Sequence, residues 1–224
     1  MIVAIDGPAA SGKSTTAKMV AEETGFSYLD TGAMYRTVTY AIQKSGVTLR
    51  NSEELKTFLD SLDIQQSWEN GTCRVFLNGK DVSNAIRSLE VTNYVSEVSA
   101  VPLVRETMVR IQRRLGRTGN YVVEGRDIGT VVFPDADWKF FLVADDKTRA
   151  IRRQKDLKSL GIDQDLDSLL IDIRERDRKD SSRTHSPLKK AENAVEVDTS
   201  NLTIQEQVQL IVNHIKPTLV KETT

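Results

Sequence analysis

The chain has 224 residues, a formal net charge of −1 and 28% charged residues. That length suits one sizeable domain, or one domain carrying a smaller inserted one. The near-neutral balance gives no reason for a nucleic-acid or membrane partner, and one cysteine and two histidines exclude an intrachain disulfide, a zinc knuckle or a histidine-based metal centre.

The first apolar run, 2–5, reads as a strand buried on both faces. It stops at Asp6 and opens into Gly7-Pro8-Ala9-Ala10-Ser11-Gly12-Lys13-Ser14, a complete G-x-x-x-x-G-K-[ST] phosphate loop. Such a loop delivers successive backbone N–H groups into one concavity, and the helix expected over 13–23 adds its positive dipole end there. Lys13 can then reach the β- and γ-phosphates, while the hydroxyl of Ser14 can ligate Mg²⁺. An accidental match in a chain of this length has odds of roughly one in a hundred or below. The chain is therefore expected to bind a nucleoside triphosphate through residues 7–15, Thr15 included.

Further strands are expected at 26–29, 121–123, 138–143 and 194–197, and helices at 33–45, 91–115, 146–160, 166–177 and 203–215. This alternation argues for an α/β fold, a parallel five-stranded sheet flanked by helices, with ligands at the carboxyl ends of its strands. Two segments break the rhythm. Between 64 and 82, two Asn-Gly signals (Asn70-Gly71 and Asn78-Gly79) separated by β-rich residues read as a small antiparallel hairpin or meander. It is either an inserted subdomain at about 61–89, within a core of 1–60 and 90–224, or a surface ornament. The run 174–183, Arg174 to Arg183, is either a solvated helix face or, with the polar stretch up to about 188, a mobile lid that closes over a triphosphate. Cys73 reads as a small core or strand residue in a reducing compartment, and His214 as a surface or packing residue. No basic-then-apolar leader precedes the first strand, and no apolar run nears the roughly 18 residues of a membrane span, so a cytoplasmic protein is expected.

A phosphate loop alone does not choose between a kinase, a motor and a GTPase. The Asn-Lys-x-Asp motif of GTPases is missing. Glu124, after the run 121–123, is the nearest candidate for the carboxylate of a motor ATPase, but Gly125-Arg126-Asp127 follows at once and points to a second anion. Phosphoryl transfer between two phosphorylated partners needs several cations. Arg36 and Arg126 stand just after expected strands, Arg105 on the helix after the hairpin, and Arg176 and Arg183 in the lid segment. Arg152 or Arg153 can stack on adenine or can belong to a solvated helix face.

The segments Ile5-Asp6-Gly7-Pro8 with its loop, Asp30-Thr31-Gly32-Ala33-Met34-Tyr35-Arg36, Glu124-Gly125-Arg126-Asp127-Ile128-Gly129-Thr130-Val131-Val132-Phe133-Pro134, Glu175-Arg176-Asp177 with Asp180, Arg183 and Pro187-Leu188 span most of the chain. Together they resemble the bacterial cytidylate kinases, P-loop proteins of the nucleoside monophosphate kinase group. The resemblance implies a P-loop kinase-type sheet, an enlarged monophosphate-binding region in the β insert and a lid. It implies transfer of the γ-phosphoryl of MgATP to CMP or dCMP, with Lys13, Arg126, Arg176 and Arg183 as catalytic cations and Ser14 on the Mg²⁺. It also implies that Thr31, Arg36 and Arg126 hold the acceptor, that Ser96, Arg105 and Asp127 read cytosine, and that Arg176 and Asp180 lie near its sugar. Ser96 is otherwise a plain helix-surface serine. Ser181-Ser182 depart from the family pattern, where further basic or amide residues are common. The chemistry of cytosine agrees: a carboxylate such as Asp127 can accept from its amino group, and Arg105 can donate to O2 and N3. Small-molecule substrates, no nucleic acid, no membrane and a monomer are the expected partners. A UMP kinase on the same scaffold, and an ATP-holding regulator that transfers nothing, are the rivals.

Overall fold

Val3, Ala4 and Ile5 are fully buried, because the first strand is the middle of a sheet and is covered on both faces. The computed structural model describes residues 1–50, 52–69, 72–159 and 161–221. Strand β1 (Ile2–Asp6) pairs in parallel with β6 (Tyr121–Gly125) on one side and β7 (Trp138–Val143) on the other. β8 (Val195–Asp198) continues the sheet in parallel beyond β7, and β2 (Ser27–Asp30) adjoins β6, so the order is β2-β6-β1-β7-β8. This is the five-stranded sheet flanked by helices that the sequence leads one to expect.

By packing the chain divides into two units, residues 1–28 with 119–224, and residues 29–118. In the first, α1 (Lys13–Thr24) packs on α8 (Ile204–Lys221), and α6 (Asp146–Ser159) on α7 (Leu166–Ser181). Ala150, Leu157, Leu169 and Ile173 form the apolar seam between the latter two. The end expected for α6, Leu160, lies outside the described residues. His214 of α8 meets the rings of Trp138 and Phe140 edge-on, so it is a packing residue.

The second unit contains α2 (Thr31–Ser45), α3 (Glu53–Asp60) and a separate antiparallel sheet of β3 (Ile64–Glu69), β4 (Thr72–Leu77) and β5 (Lys80–Asp81). The Asn78-Gly79 turn has φ of 49° and 77°, the left-handed pair that a two-residue hairpin requires. The Asn70-Gly71 turn lies outside the described residues. Val75, Val82 and Ile86 pack with Ala33 of α2, and Cys73 lies against that cluster. The helix expected over 91–115 is two helices, α4 (Leu89–Val98) and α5 (Pro102–Leu115). Pro102 has no N–H to continue a helix and drives Val101 into an extended conformation (φ −72°, ψ 123°), so the chain breaks there and restarts with proline in the first turn. The periodicity had masked the break, and it had also missed α3.

Candidate functional site

The phosphate loop joins β1 to α1. Gly7 passes so close to the Leu142 carbonyl that a Cβ there would stand 2.3 Å from its oxygen. Gly12, at φ 89°, turns the chain into α1. The loop is braced from behind. Thr199 Oγ1 lies 2.9 Å from the carbonyls of both Ser11 and Val143, and Arg152 donates to Thr199 Oγ1 and to its carbonyl. Thr16 Oγ1 donates to the buried amide oxygen of Gln207. Arg149 donates to the Ala9 carbonyl at 3.2 Å and to Asp177 of α7 at 2.5 Å, tying the loop to that helix. Arg152 thus braces the loop through Thr199 rather than lying on a solvated face.

Inside the loop Lys13 is buried and donates to the Pro8 carbonyl at 3.1 Å. Ser11 Oγ is buried and makes no hydrogen bond among the described residues. Ser14 Oγ donates to Glu124 Oε2 at 2.7 Å, and Tyr28 donates to Glu124 Oε1 at 2.5 Å. Glu124, 2% exposed at the end of β6, is therefore the carboxylate beside the loop serine. Gly125-Arg126-Asp127 had argued against that position, but strand register decides it: Ile5 and Glu124 are partners across β1 and β6.

Two residues on, a cluster of cations begins. Arg126 Nε donates to Asp180 Oδ2 at 2.9 Å, and Arg183 pairs with the other oxygen of the same carboxylate. Asp180 is 2% exposed. Burial works against its charge, but the guanidiniums of Arg126, Arg183 and Arg176 outweigh that and hold its carboxyl below the usual range. The other face of α7 is what the sequence alternative describes: Arg178 and Lys179 pair with Glu175 in exposed positions. So the run 174–183 divides by face, with Arg176, Arg183 and Arg126 gathered around Asp180, Asp177 held by Arg149, and Arg178 and Lys179 solvated. Ser181 and Ser182 are exposed. Asp127 is buried, directly after Arg126.

Within the second unit Asp30 caps α2 by accepting from Ala33 N at 2.7 Å, and Arg36 stands 3.4 Å from the same carboxylate. Buried Thr31 is the first residue of that helix. Arg105 on α5 is 4% exposed, lies over the ring of Tyr35 at 5.4 Å and donates to the Ser99 carbonyl at 3.0 Å. Ser96 is half-buried on α4. Each unit thus carries its own part of the expected set: the loop, Arg126, Asp127, Arg176, Asp180 and Arg183 in one, Thr31, Arg36, Ser96 and Arg105 in the other.

A phosphate loop with a carboxylate on its serine and arginines clasped around a buried aspartate fits phosphoryl transfer to a second anion. The family model for cytidylate kinase matches residues 3–217. The chain belongs to the cytidylate kinase family. Its relatives include proteins named cytidylate kinase from Bacillus cereus (strain B4264) and Bacillus thuringiensis (strain Al Hakam), each 48% identical over 98% of this chain and 97% of the relative. A crystal structure of an uncharacterized protein from Eubacterium ventriosum shares the fold, with a TM-score of 0.54 at 13% identity over 96% of this chain and 98% of that one. For a cytidylate kinase family chain, sequence reasoning missed Tyr28 and Arg149 and set Glu124 aside. An apolar strand ending in a carboxylate was the available signal for Glu124; nothing local marks the other two.

Proposed function

We propose that the chain transfers the γ-phosphoryl group of MgATP to CMP or dCMP, giving ADP and CDP or dCDP. The observation that carries this reading is the pairing of Arg126 and Arg183 on buried Asp180, in the same unit as the phosphate loop. Three guanidiniums around one carboxylate are cations held ready for anions, and the bidentate geometry of arginine suits a phosphate. In this reading residues 7–15 cradle the triphosphate, Lys13 stabilises charge on the transferred group, and Arg36 and Arg126 hold the acceptor phosphate with Thr31 beside them. Arg176 and Arg183 neutralise the transferring group as lid residues of a segment at about 174–188. Arg176 and Asp180 meet the sugar. Ser96 and Arg105, on the helices after the inserted region at about 61–89, read cytosine together with Asp127.

The acceptor phosphate is its own nucleophile. Its second pKa is near 6, so it is largely ionised at neutral pH and no general base is needed. Its oxygen attacks the γ-phosphorus in line, the bond to the β-phosphate oxygen breaks, and ADP leaves with that electron pair. The hydroxyl of Ser14 and the carboxylate of Glu124, hard oxygen donors 2.7 Å apart, fit Mg²⁺. When bound with ATP, that ion supplies charge neutralisation between the β- and γ-phosphates. The near-neutral charge gives no reason for a nucleic-acid or membrane partner, and the proposed setting is a cytoplasmic monomer acting on small nucleotides. No helix among the described residues is long and apolar enough to cross a membrane.

The test is ADP formation from MgATP with CMP, dCMP, UMP, AMP and GMP supplied separately, for the wild type and Asp127→Ala. CMP and dCMP should lead strongly in kcat/KM, and the variant should lose the preference over UMP. A uracil carbonyl facing the aspartate is disfavoured by about 1–3 kcal/mol. Equal use of UMP by the wild type breaks the cytosine assignment, and no stimulation by any monophosphate removes the kinase.

A further inference from the structure

Asp6 has no part in the roles above, yet it is 5% exposed at the end of β1, one residue before the phosphate loop. Its two carboxylate oxygens accept the backbone N–H groups of Ile128 at 2.9 Å and Gly129 at 2.8 Å. Those amides open a wide helical turn, Ile128–Val132, in which the N–H of Val132 and Phe133 bond five residues back to Asp127 and Ile128. The turn starts directly after Asp127. Its other side is closed by Lys139 of β7. The lysine stem crosses Gly129 so tightly that an added Cβ would stand 3.1 Å from its Cδ and 3.5 Å from Asp6 Oδ2. The ammonium donates to the Pro134 carbonyl and to Asn193 Oδ1.

We propose that Asp6 is a positioning residue for the acceptor: through Ile128 and Gly129 it fixes the turn that sets Arg126 and Asp127. The inference rests on the reading of those two residues as acceptor groups. Two charge-assisted hydrogen bonds from successive amides fix both the place and the tilt of the peptide planes that follow Asp127. A single bond would leave rotation about itself. The charged groups acting on Asp6 are Asp127 and Arg126, just before the turn, while the stem of Lys139 lies against Gly129. Burial pushes its carboxyl up to about 7; the amides of Gly129 and Ile128 pull it down, the Asp127 carboxylate opposes them, and Arg126 assists them. On protonation one oxygen becomes a donor and can no longer take its amide, so the hold weakens as pH falls through that value.

The test uses the full-length enzyme carrying Asp6→Asn, in which one oxygen remains an acceptor and the new NH₂ faces the second amide. With kcat and KM measured for CMP and for MgATP, KM for CMP should rise about tenfold or more, from one buried amide left unpaired. KM for MgATP should stay within about twofold. Across about pH 5.5 to 8.5 the wild type should show an acid limb in kcat/KM for CMP near 7 that the variant lacks, while the limb of CMP itself near 6 persists in both. Gly129→Ala pushes the same amide off the carboxylate from the other side and should give the same split, which decides the matter if Asp6→Asn does not fold. An unchanged KM for CMP, or both KM values rising together, overturns the proposal. Arg126→Ala and Asp127→Ala run in parallel: normal CMP kinetics in these overturn the acceptor reading itself, whereas their impairment beside a normal Asp6→Asn overturns only the role of Asp6.

Discussion

Lys13, Arg36 and Arg126 are polar groups whose removal takes away charge without opening a core. Alanine at any of the three should therefore abolish most turnover; thermal unfolding should stay near that of the parent for Lys13→Ala and Arg36→Ala, whereas Arg126→Ala also takes a partner from buried Asp180 and should lower it. Near-normal rates in a purified variant remove that residue from its assigned role. Asp6 governs stability in the opposite sense to its part in positioning. Its folded pKa, about 7, lies above the ordinary 3.8, so between these values the folded chain binds the extra proton. Stability from this group is greatest at the acid end of the window and falls as pH rises to about 7. Asp180 acts in a different window: its carboxyl is depressed, so its contribution is present above the ordinary value and is lost as pH falls below it. Between about pH 5 and 7.5 the urea midpoint of the wild type, relative to that of Asp6→Ala, should decline. A constant difference across that range would show that the carboxyl titrates elsewhere.

At the scale of elements, α7 places Arg176 and Asp180 only because α6 holds it. The seam between the two includes Leu157, fully covered among Ala150, Leu169 and Ile173. Leu157→Ala removes that packing and leaves a cavity, at a cost of about 2–5 kcal/mol. The melting temperature should drop by several degrees; an unchanged melt would mean that α6 and α7 do not depend on each other as described. The α4–α5 break belongs to this scale as well. Apolar positions recur through 91–115 as in one helix, and a reader of periodicity alone joins them, whereas Pro102 and its effect on Val101 separate them. The hairpin at Asn78-Gly79 was legible because its left-handed backbone is a local demand that few residues meet.

For the molecule as a whole, transfer to CMP must outrun transfer to water. Hydrolysis of MgATP without a monophosphate should be far slower than ADP formation with CMP, measured at the same enzyme concentration. Comparable rates would argue for the ATP-holding alternative. The strand-loop-helix unit at 2–23, the α/β alternation and the family segments were decided by the amino-acid order itself. Each depends on neighbours in the chain: a continuous apolar run, glycines at Gly7 and Gly12, a lysine and a serine at set spacing. Tertiary structure alone decided that Glu124 takes the Ser14 hydroxyl, that Asp180 gathers Arg126 and Arg183, and that Asp6 holds the turn after Asp127. These pairs are 110, 54 and 122 residues apart in the chain, except for Asp180 and Arg183. No local pattern encodes them, because strand register and the docking of α7 bring the groups together, and burial then makes each pairing obligatory.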